Sequence, residues 1–122
     1  MANEKLFKEN TNGSPVVVFD NNNTINISGL SMMENAYSFY DPIFKWINNL
    51  DTQINKIEFN LEYLSTSSSL YVLQLIKTVK LKSPNVEIEW NYEDDDESIL
   101  QLGEELELTS DSKFTFNAIE VE

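Results

Sequence analysis

The sequence predicts a mixed α/β fold, in which helices flank a mixed β-sheet in a single domain over residues 1–122. Residues 56–64 and 86–92 alternate between apolar and polar side chains, which is typical of strands with one buried face. The segments that follow these two strands place apolar residues at helical spacing. Such strand–helix–strand units favour right-handed crossovers and a sheet flanked by helices. The length allows one hydrophobic core but not two.

The first part of the chain predicts a hairpin followed by a helix. Residues 16–19 and 23–28 indicate two short strands, and the Asp and Asn residues between them are typical of a tight turn. Ser31 and Glu34 have the spacing of a capping box, which predicts a helix over about residues 31–50. Pro42 has no amide hydrogen, so we expect this helix to be broken or kinked at Asp41 and Pro42.

The rest of the chain predicts alternating strands and helices. In the strand over residues 56–64, the alternation places Tyr63 on the buried face with Ile57, Phe59 and Leu61. Four further elements are expected: a helix over 70–81 that ends before Pro84, a strand over 86–92, a short helix over 99–108 that breaks near Gly103, and an edge strand over 113–116.

The composition excludes most partners that carry negative charge and most enzyme mechanisms. The net charge is −13, and all 8 basic residues are lysines. We therefore expect no nucleic acid and no anionic membrane as partner; a basic protein surface stays open, beside the simpler interpretation that the charge only keeps the chain soluble. The chain has no His, Cys or Arg. This predicts no catalytic residue, no cofactor and no metal ion, and favours a protein that is acted upon over an enzyme.

The same composition predicts the cytoplasm as the compartment. No apolar stretch reaches the length of about 18 residues that a membrane-spanning helix needs. The first residues lack the apolar core of a secretory signal, and the absence of cysteine excludes a disulfide framework.

Two polar runs are candidate sites. Residues 65–69 are five consecutive hydroxyl residues before a helix; a single hydroxyl there would act as an N-cap, and a hydroxyl at a helix N-terminus is also well placed to carry a phosphate. Residues 93–97 are all acidic and could hold a divalent cation, although the glycine of a calcium-binding loop is missing. The other interpretation is that Asp95 or Asp96 caps the next helix.

Several separate segments resemble the SiaC family of regulatory phosphoproteins, small bacterial proteins of a partner-switching network. The resemblance covers the chain from about residue 25 to the last strand. The matching segments are residues 27–31, residues 34–46 (ENAYSFYDPIFKW), residues 59–64 followed by Thr66, Ser67 and Ser68, residues 90–97 (WNYEDDDE), and residues 103–105.

The resemblance implies that Thr66 is the phosphoacceptor. Three positions depart from the family pattern: Ser65 stands where the family usually has Asn, Leu70 where it often has Lys, and Met33 where it tends to have Pro. The first departure makes Ser65 and Ser67 the competing acceptors. The layout also resembles that of the STAS-like anti-sigma-factor antagonists, in which a strand leads to a phosphorylated residue at the start of a helix.

The resemblance further implies a set of protein partners. These are a protein kinase of the ATPase-fold type, a PPM-type protein phosphatase and an output protein, which in the best-known branch is a diguanylate cyclase. The dephosphorylated form would bind and regulate the output protein, and phosphorylation at Thr66 would release it. We expect the partner interface to comprise Glu62 and residues 65–68. Two other functions stay open: a small-molecule or divalent-metal-binding domain that uses residues 93–97, and a hydrolase with a lysine-activated hydroxyl near Thr66.

Overall fold

The computed structural model describes residues 5–7 and 13–121, which form six strands and three helices. The strands are β1 (Lys5–Phe7), β2 (Val16–Phe19), β3 (Thr24–Ser31), β4 (Lys56–Leu64), β5 (Glu87–Glu93) and β6 (Phe114–Ile119). The helices are α1 (Ala36–Asn48), α2 (Thr66–Lys82) and α3 (Glu97–Ser110). The predicted α/β class is confirmed.

The six strands form one mixed sheet in the order β1-β2-β3-β4-β5-β6. The pairs β1–β2 and β2–β3 are antiparallel, and β3–β4, β4–β5 and β5–β6 are parallel. Each parallel connection contains one helix, since parallel neighbours need a long crossover connection. The C-terminal ends of β3 to β6 and the N-termini of the helices therefore lie at the same edge, which we call the upper edge.

All three helices cover the same face of the sheet. Trp46 of α1 contacts the rings of Phe7 and Phe19, and Trp90 of β5 donates its indole N–H to the Ile99 carbonyl oxygen of α3 over 2.9 Å. The strand registers place Phe19 and Trp90 on one face, and α2 lies between α1 and α3. This face holds the hydrophobic core, whereas side chains of the opposite face are half-buried or exposed.

The predicted hairpin is confirmed. The turn between β2 and β3 places Asn23 in the left-handed region, with φ of 58°, which Asn tolerates better than most residues. The Asp20 carboxylate accepts the backbone N–H groups of Asn22 and Thr24 over 2.9 and 3.1 Å. Strand β1 was not predicted, because three residues do not give a measurable alternation.

The predicted capping box at Ser31 and Glu34 is wrong. Ser31 is the last residue of β3, and α1 begins only at Ala36, with Asn35 as N-cap accepting the Ser38 N–H over 3.2 Å. The sequence spacing did not show that Ser31 is buried and hydrogen-bonded to Tyr40 over 2.7 Å. That contact holds Ser31 in the sheet.

The predicted break at Pro42 is also wrong, because α1 runs through it. Proline cannot donate to the Ser38 carbonyl oxygen, but both residues lie on the exposed side of the helix, where water can replace the missing donor. The buried side of the helix, with Tyr40, Ile43 and Ile47, keeps its packing against the core. Burial of this side outweighs one lost hydrogen bond.

Helix α3 does not break near Gly103, and the reason for the glycine is packing. A Cβ atom built on Gly103 would lie 2.5 Å from Nε1 of Trp90 and 2.7 Å from two of its ring carbons. The helix therefore needs a residue without a side chain where it crosses the indole. Strand β6 extends to Ile119, beyond the predicted residues 113–116.

A β-bulge changes the end of β4, which leads into the candidate site. Gly29 pairs with Leu61 and Leu30 pairs with Tyr63, so Glu62 is an extra residue without a partner on β3. The bulge reverses the alternation after Leu61. Tyr63 is consequently 49% exposed, and the prediction that it shares the buried face is wrong, whereas Leu64 is buried.

Candidate functional site

The hydroxyl run forms the start of α2 at the upper edge of the sheet. Ser65 is the N-cap in extended conformation, and its Oγ accepts the Ser68 N–H over 3.2 Å. Thr66 is the first residue of the helix and is exposed, and its hydroxyl bonds to no described residue. The run therefore separates two tasks, since the cap is made by Ser65 and the Thr66 hydroxyl is left accessible.

This division predicts different effects of two neighbouring alanine substitutions. Ser65→Ala removes the cap and should lower the free energy of unfolding by about 1 kcal/mol. Thr66→Ala removes an exposed side chain from the first helical position and should change it by about 0.5 kcal/mol or less. Urea unfolding followed by circular dichroism measures both. Equal losses would contradict the assignment of the cap to Ser65.

The remaining hydroxyls of the run differ in access. Ser67 is exposed, and its Oγ lies 3.5 Å from that of Ser65. The Ser69 hydroxyl donates to the Thr66 carbonyl oxygen over 2.6 Å. Ser68, which is predicted to belong to the partner interface, is fully buried, and its Oγ has no partner among the described residues. Glu62, Ser65 and Ser67 are accessible in whole or in part.

Buried polar and aromatic contacts hold the start of α2 against β3 and α1. The Ser65 N–H donates to the Ser31 carbonyl oxygen over 2.9 Å, which ties the start of α2 to β3. Below it, the Tyr40 ring is fully buried and stacks on Tyr71 of α2, with ring centroids 5.8 Å apart. Burial raises the pKa of Tyr40 to about 12, although the hydrogen bond to Ser31 partly offsets this. Tyr40 therefore stays neutral and fixes α1, α2 and β3 together.

Apolar side chains are exposed around Thr66. Tyr63 is 49% exposed and Leu70 is 65% exposed; they lie three residues before and four residues after Thr66. Leu70 also lines a cavity of about 120 Å³ between α2 and α3, with Leu73, Leu102 and Leu106. Large apolar side chains that stay exposed are available for contact with another protein.

Carboxylates dominate the upper edge. Glu62 ends the regular part of β4, and residues 93–97 connect β5 to α3 at this edge. The described lysines lie elsewhere. Lys5 begins β1, and Lys45 is in the last turn of α1 and pairs with Asp41. Lys56 and Lys113 are at the lower ends of β4 and β6, and residues 77–82 with three lysines end α2. The described surroundings of Thr66 therefore offer acidic and apolar groups without a cation.

Part of the acidic run has a structural role. Asp96 is the N-cap of α3, and its carboxylate accepts the Ile99 N–H over 3.1 Å, which confirms one of the two predicted caps. Asp94 and Asp95 are exposed. Within residues 5–7 and 13–121, no group of three or more acidic, His or Cys side chains is arranged to hold a metal ion. None of the described helices is both long and apolar enough to cross a membrane.

Solved structures share this fold. Apo-SiaC from Pseudomonas aeruginosa is 25% identical, with a TM-score of 0.70 over 97% of this chain and 98% of that chain. A second structure holds SiaC from Pseudomonas aeruginosa in complex with the diguanylate cyclase SiaD, of which SiaC is the activator. That SiaC chain is 24% identical to this chain, with a TM-score of 0.74 over 96% of this chain and 100% of that chain.

The family of the chain follows from a match to a sequence model of that family. No curated sequence shows significant similarity to the chain. The family model for SiaC family regulatory phosphoproteins matches residues 8–121. The match covers almost the whole chain, including the hydroxyl run and the acidic run. The chain therefore belongs to the SiaC family of regulatory phosphoproteins, and is a regulatory protein rather than an enzyme.

Proposed function

We propose that this chain is a partner-switching phosphoprotein whose unmodified form binds an output protein through the surface around Thr66, and whose phosphorylation at Thr66 releases that protein. One observation carries the choice of residue. Thr66 is exposed at the first position of α2, its hydroxyl is free of described partners, and the neighbouring Ser65 already provides the cap. A kinase can reach and modify such a hydroxyl without breaking a contact of the fold.

The position also tolerates the product of the reaction. The first backbone N–H groups of a helix and its dipole favour an anion. A phosphothreonine at the first position of α2 adds nearly two negative charges there. The chain has no arginine, and the described lysines lie away from this edge, so no described side chain offers a cation that would draw the phosphate into a new conformation. The switch therefore acts on the surface and leaves the fold unchanged.

Release follows from the apolar neighbours of Thr66. Tyr63 and Leu70 are exposed on either side of it and would lose water when a partner covers them. A phosphate on Thr66 would have to lose its own hydration when a partner covers this surface. Burying a charge without a partner is costly, so the phosphorylated surface no longer docks.

Three kinds of partner belong to this proposal. A kinase of the ATPase-fold type adds the phosphate, a PPM-type phosphatase removes it, and a diguanylate cyclase is the output protein. The output partner is supported by the structure in which SiaC of Pseudomonas aeruginosa is bound to the diguanylate cyclase SiaD. The kinase and the phosphatase are those that the resemblance to the SiaC family implies, and they would add and remove one phosphate ester at a hydroxyl.

Phosphorylation is the direct test. Incubation with the cognate kinase and ATP should add one phosphate, and Thr66→Ala should abolish the labelling while the variant stays folded. Ser67→Ala is the matched control, because Ser67 is equally exposed in the same helical turn, and it should be labelled like the unchanged protein. Mass spectrometry of peptides locates the phosphate. Labelling of Thr66→Ala at Ser65 or Ser67 would show that a different hydroxyl is the acceptor.

A further inference from the structure

The face of the sheet opposite the helices is uncovered, although three of the five strand pairs are parallel. No described helix or strand lies over this face, which we call the open sheet face. Strands β3 to β6 are parallel neighbours, whereas β1, β2 and β3 pair antiparallel, so the sheet is mixed and the covering of both faces that purely parallel sheets need does not apply to it. The open sheet face is therefore available to another molecule.

The open sheet face is acidic where it is parallel. Glu58 of β4 and three carboxylates of β5, Glu87, Glu89 and Glu93, point to this side, because their neighbours Ile57, Phe59, Ile88 and Trp90 are buried under the helices. Lys56 is the one described lysine on these two strands, and it is paired with Glu89 over 3.2 Å. The excess of carboxylates is complementary to a basic surface.

A row of asparagines makes this face rigid. The Asn91 amide N–H donates to Oδ1 of Asn60 over 2.9 Å, and the Asn117 amide N–H donates to Oδ1 of Asn91 over 2.8 Å. The Asn60 amide N–H donates to the Glu58 carboxylate over 3.3 Å. The hydrogen bonds cross β4, β5 and β6 and use amide donors of the row. The face is thus held in place, and its remaining groups are mainly acceptors.

The face opens into a crevice at the upper edge. Strands β4 and β5 pair only as far as Phe59 and Trp90, and a cavity of about 410 Å³ lies beyond that point. We call it the β4–β5 crevice; Glu62, Glu93 and Asp96 line it, with Asn60 and Asn91 at its base. The carboxylates of Glu62 and Glu93 are exposed and bond to no described residue. The crevice therefore offers the unpaired carboxylate oxygens of Glu62 and Glu93 to a cationic side chain.

We propose that the open sheet face docks a basic surface of the output protein, with one lysine or arginine side chain in the β4–β5 crevice. The proposal rests on the proposed function for the identity of the partner and adds where and by what chemistry it binds. Glu62 joins the crevice to the site, since it lies four residues before Thr66 on the same strand-to-helix connection. Docking here places the partner beside the phosphoacceptor.

Charge reversal tests the face. Unmodified Glu62→Lys/Glu93→Lys protein should bind the cyclase at least tenfold more weakly than the unchanged protein at low salt, a loss of about 1.4 kcal/mol. The loss should shrink as salt is added, because exposed charges are screened. Asp51→Lys/Glu104→Lys is the control, since it makes the same change in net charge at two exposed positions away from this face. Equal losses in both variants would overturn the proposal.

A second measurement keeps this inference separate from the proposed function. A lysine-rich helical peptide is titrated into the labelled full chain, and amide NMR shifts should map to β4, β5 and the crevice and disappear in Glu62→Lys/Glu93→Lys. Shifts on α1 to α3 instead would overturn the docking face, whether or not a cyclase binds. If phosphorylation leaves cyclase binding unchanged while the reversal variant loses it, the switch is wrong and the docking face stands.

Discussion

Replacing Gly103 by alanine is expected to destabilise the fold by about 2 kcal/mol, because overpacking a core costs typically about 1–3 kcal/mol. The new Cβ would lie 2.5 Å from Nε1 of Trp90, which is fully buried and held by its hydrogen bond to the Ile99 carbonyl oxygen. Any shift of the indole away from the new Cβ would disturb this hydrogen bond and the packing around a fully buried ring. The sign is diagnostic, since a glycine-to-alanine change inside an unconstrained helix stabilises by about 1 kcal/mol.

Urea unfolding gives this free energy, and a second pair of variants identifies its cause. Trp90→Leu removes Nε1 and Cε2 of the indole, two of the atoms that the new Cβ would meet, and by itself loses the indole hydrogen bond and its packing. Because the smaller side chain relieves the crowding that Gly103→Ala creates, the double variant Gly103→Ala/Trp90→Leu should be more stable than the sum of the single losses indicates. Strict additivity, or a stabilising Gly103→Ala, would show that the helix does not need glycine at this point.

The periodic elements were predictable because burial of one face controls the residue pattern. Residues 56–64 have the predicted strand bounds, since the alternation of Ile57, Phe59 and Leu61 with polar residues matches the covered and open faces of the sheet. The same logic fails at Tyr63, where a bulge opposite β3 reverses the alternation. A bulge depends on the neighbouring strand, so the residues of β4 alone do not contain it.

Two further errors, at Ser31 and Gly103, have a similar origin. Ser31 has the local spacing of a cap, but its contact with Tyr40 belongs to the tertiary structure. Gly103 is expected to break a helix on propensity alone, and packing against Trp90 reverses that expectation. In both cases a residue that is far away in sequence decides the local structure.

The candidate site was predictable in part. The position of the hydroxyl run at a strand-to-helix junction follows from the two flanking patterns, and the structure places Thr66 at the first exposed helical position. Which hydroxyl makes the cap and which one is buried could not be read from five similar residues. The β4–β5 crevice was also missed, because the divergence of two strands leaves no signal in either sequence. The role of Thr66 as acceptor stays a prediction.

Phosphorylation of Thr66 is expected to weaken binding of the output protein at least tenfold, or by about 1.4 kcal/mol. The unmodified surface combines the exposed Tyr63 and Leu70 with small hydroxyl side chains, which permit close approach. The phosphate prevents this approach and must be desolvated. Thr66→Asp should reproduce the loss only in part, since it has a single charge and fewer oxygens. Thr78→Asp, in the same helix but away from the upper edge, should bind normally.

Titration of both forms against the output protein measures this effect, and circular dichroism checks that the fold is unchanged. The salt dependence then identifies the mechanism. A phosphate added to an acidic edge would increase the long-range attraction of a basic partner, so release has to come from the contact itself. The loss caused by phosphorylation should therefore persist at high salt, whereas the loss caused by charge reversal in the crevice should shrink. Tighter binding of the phosphorylated form would reverse the proposed direction of the switch.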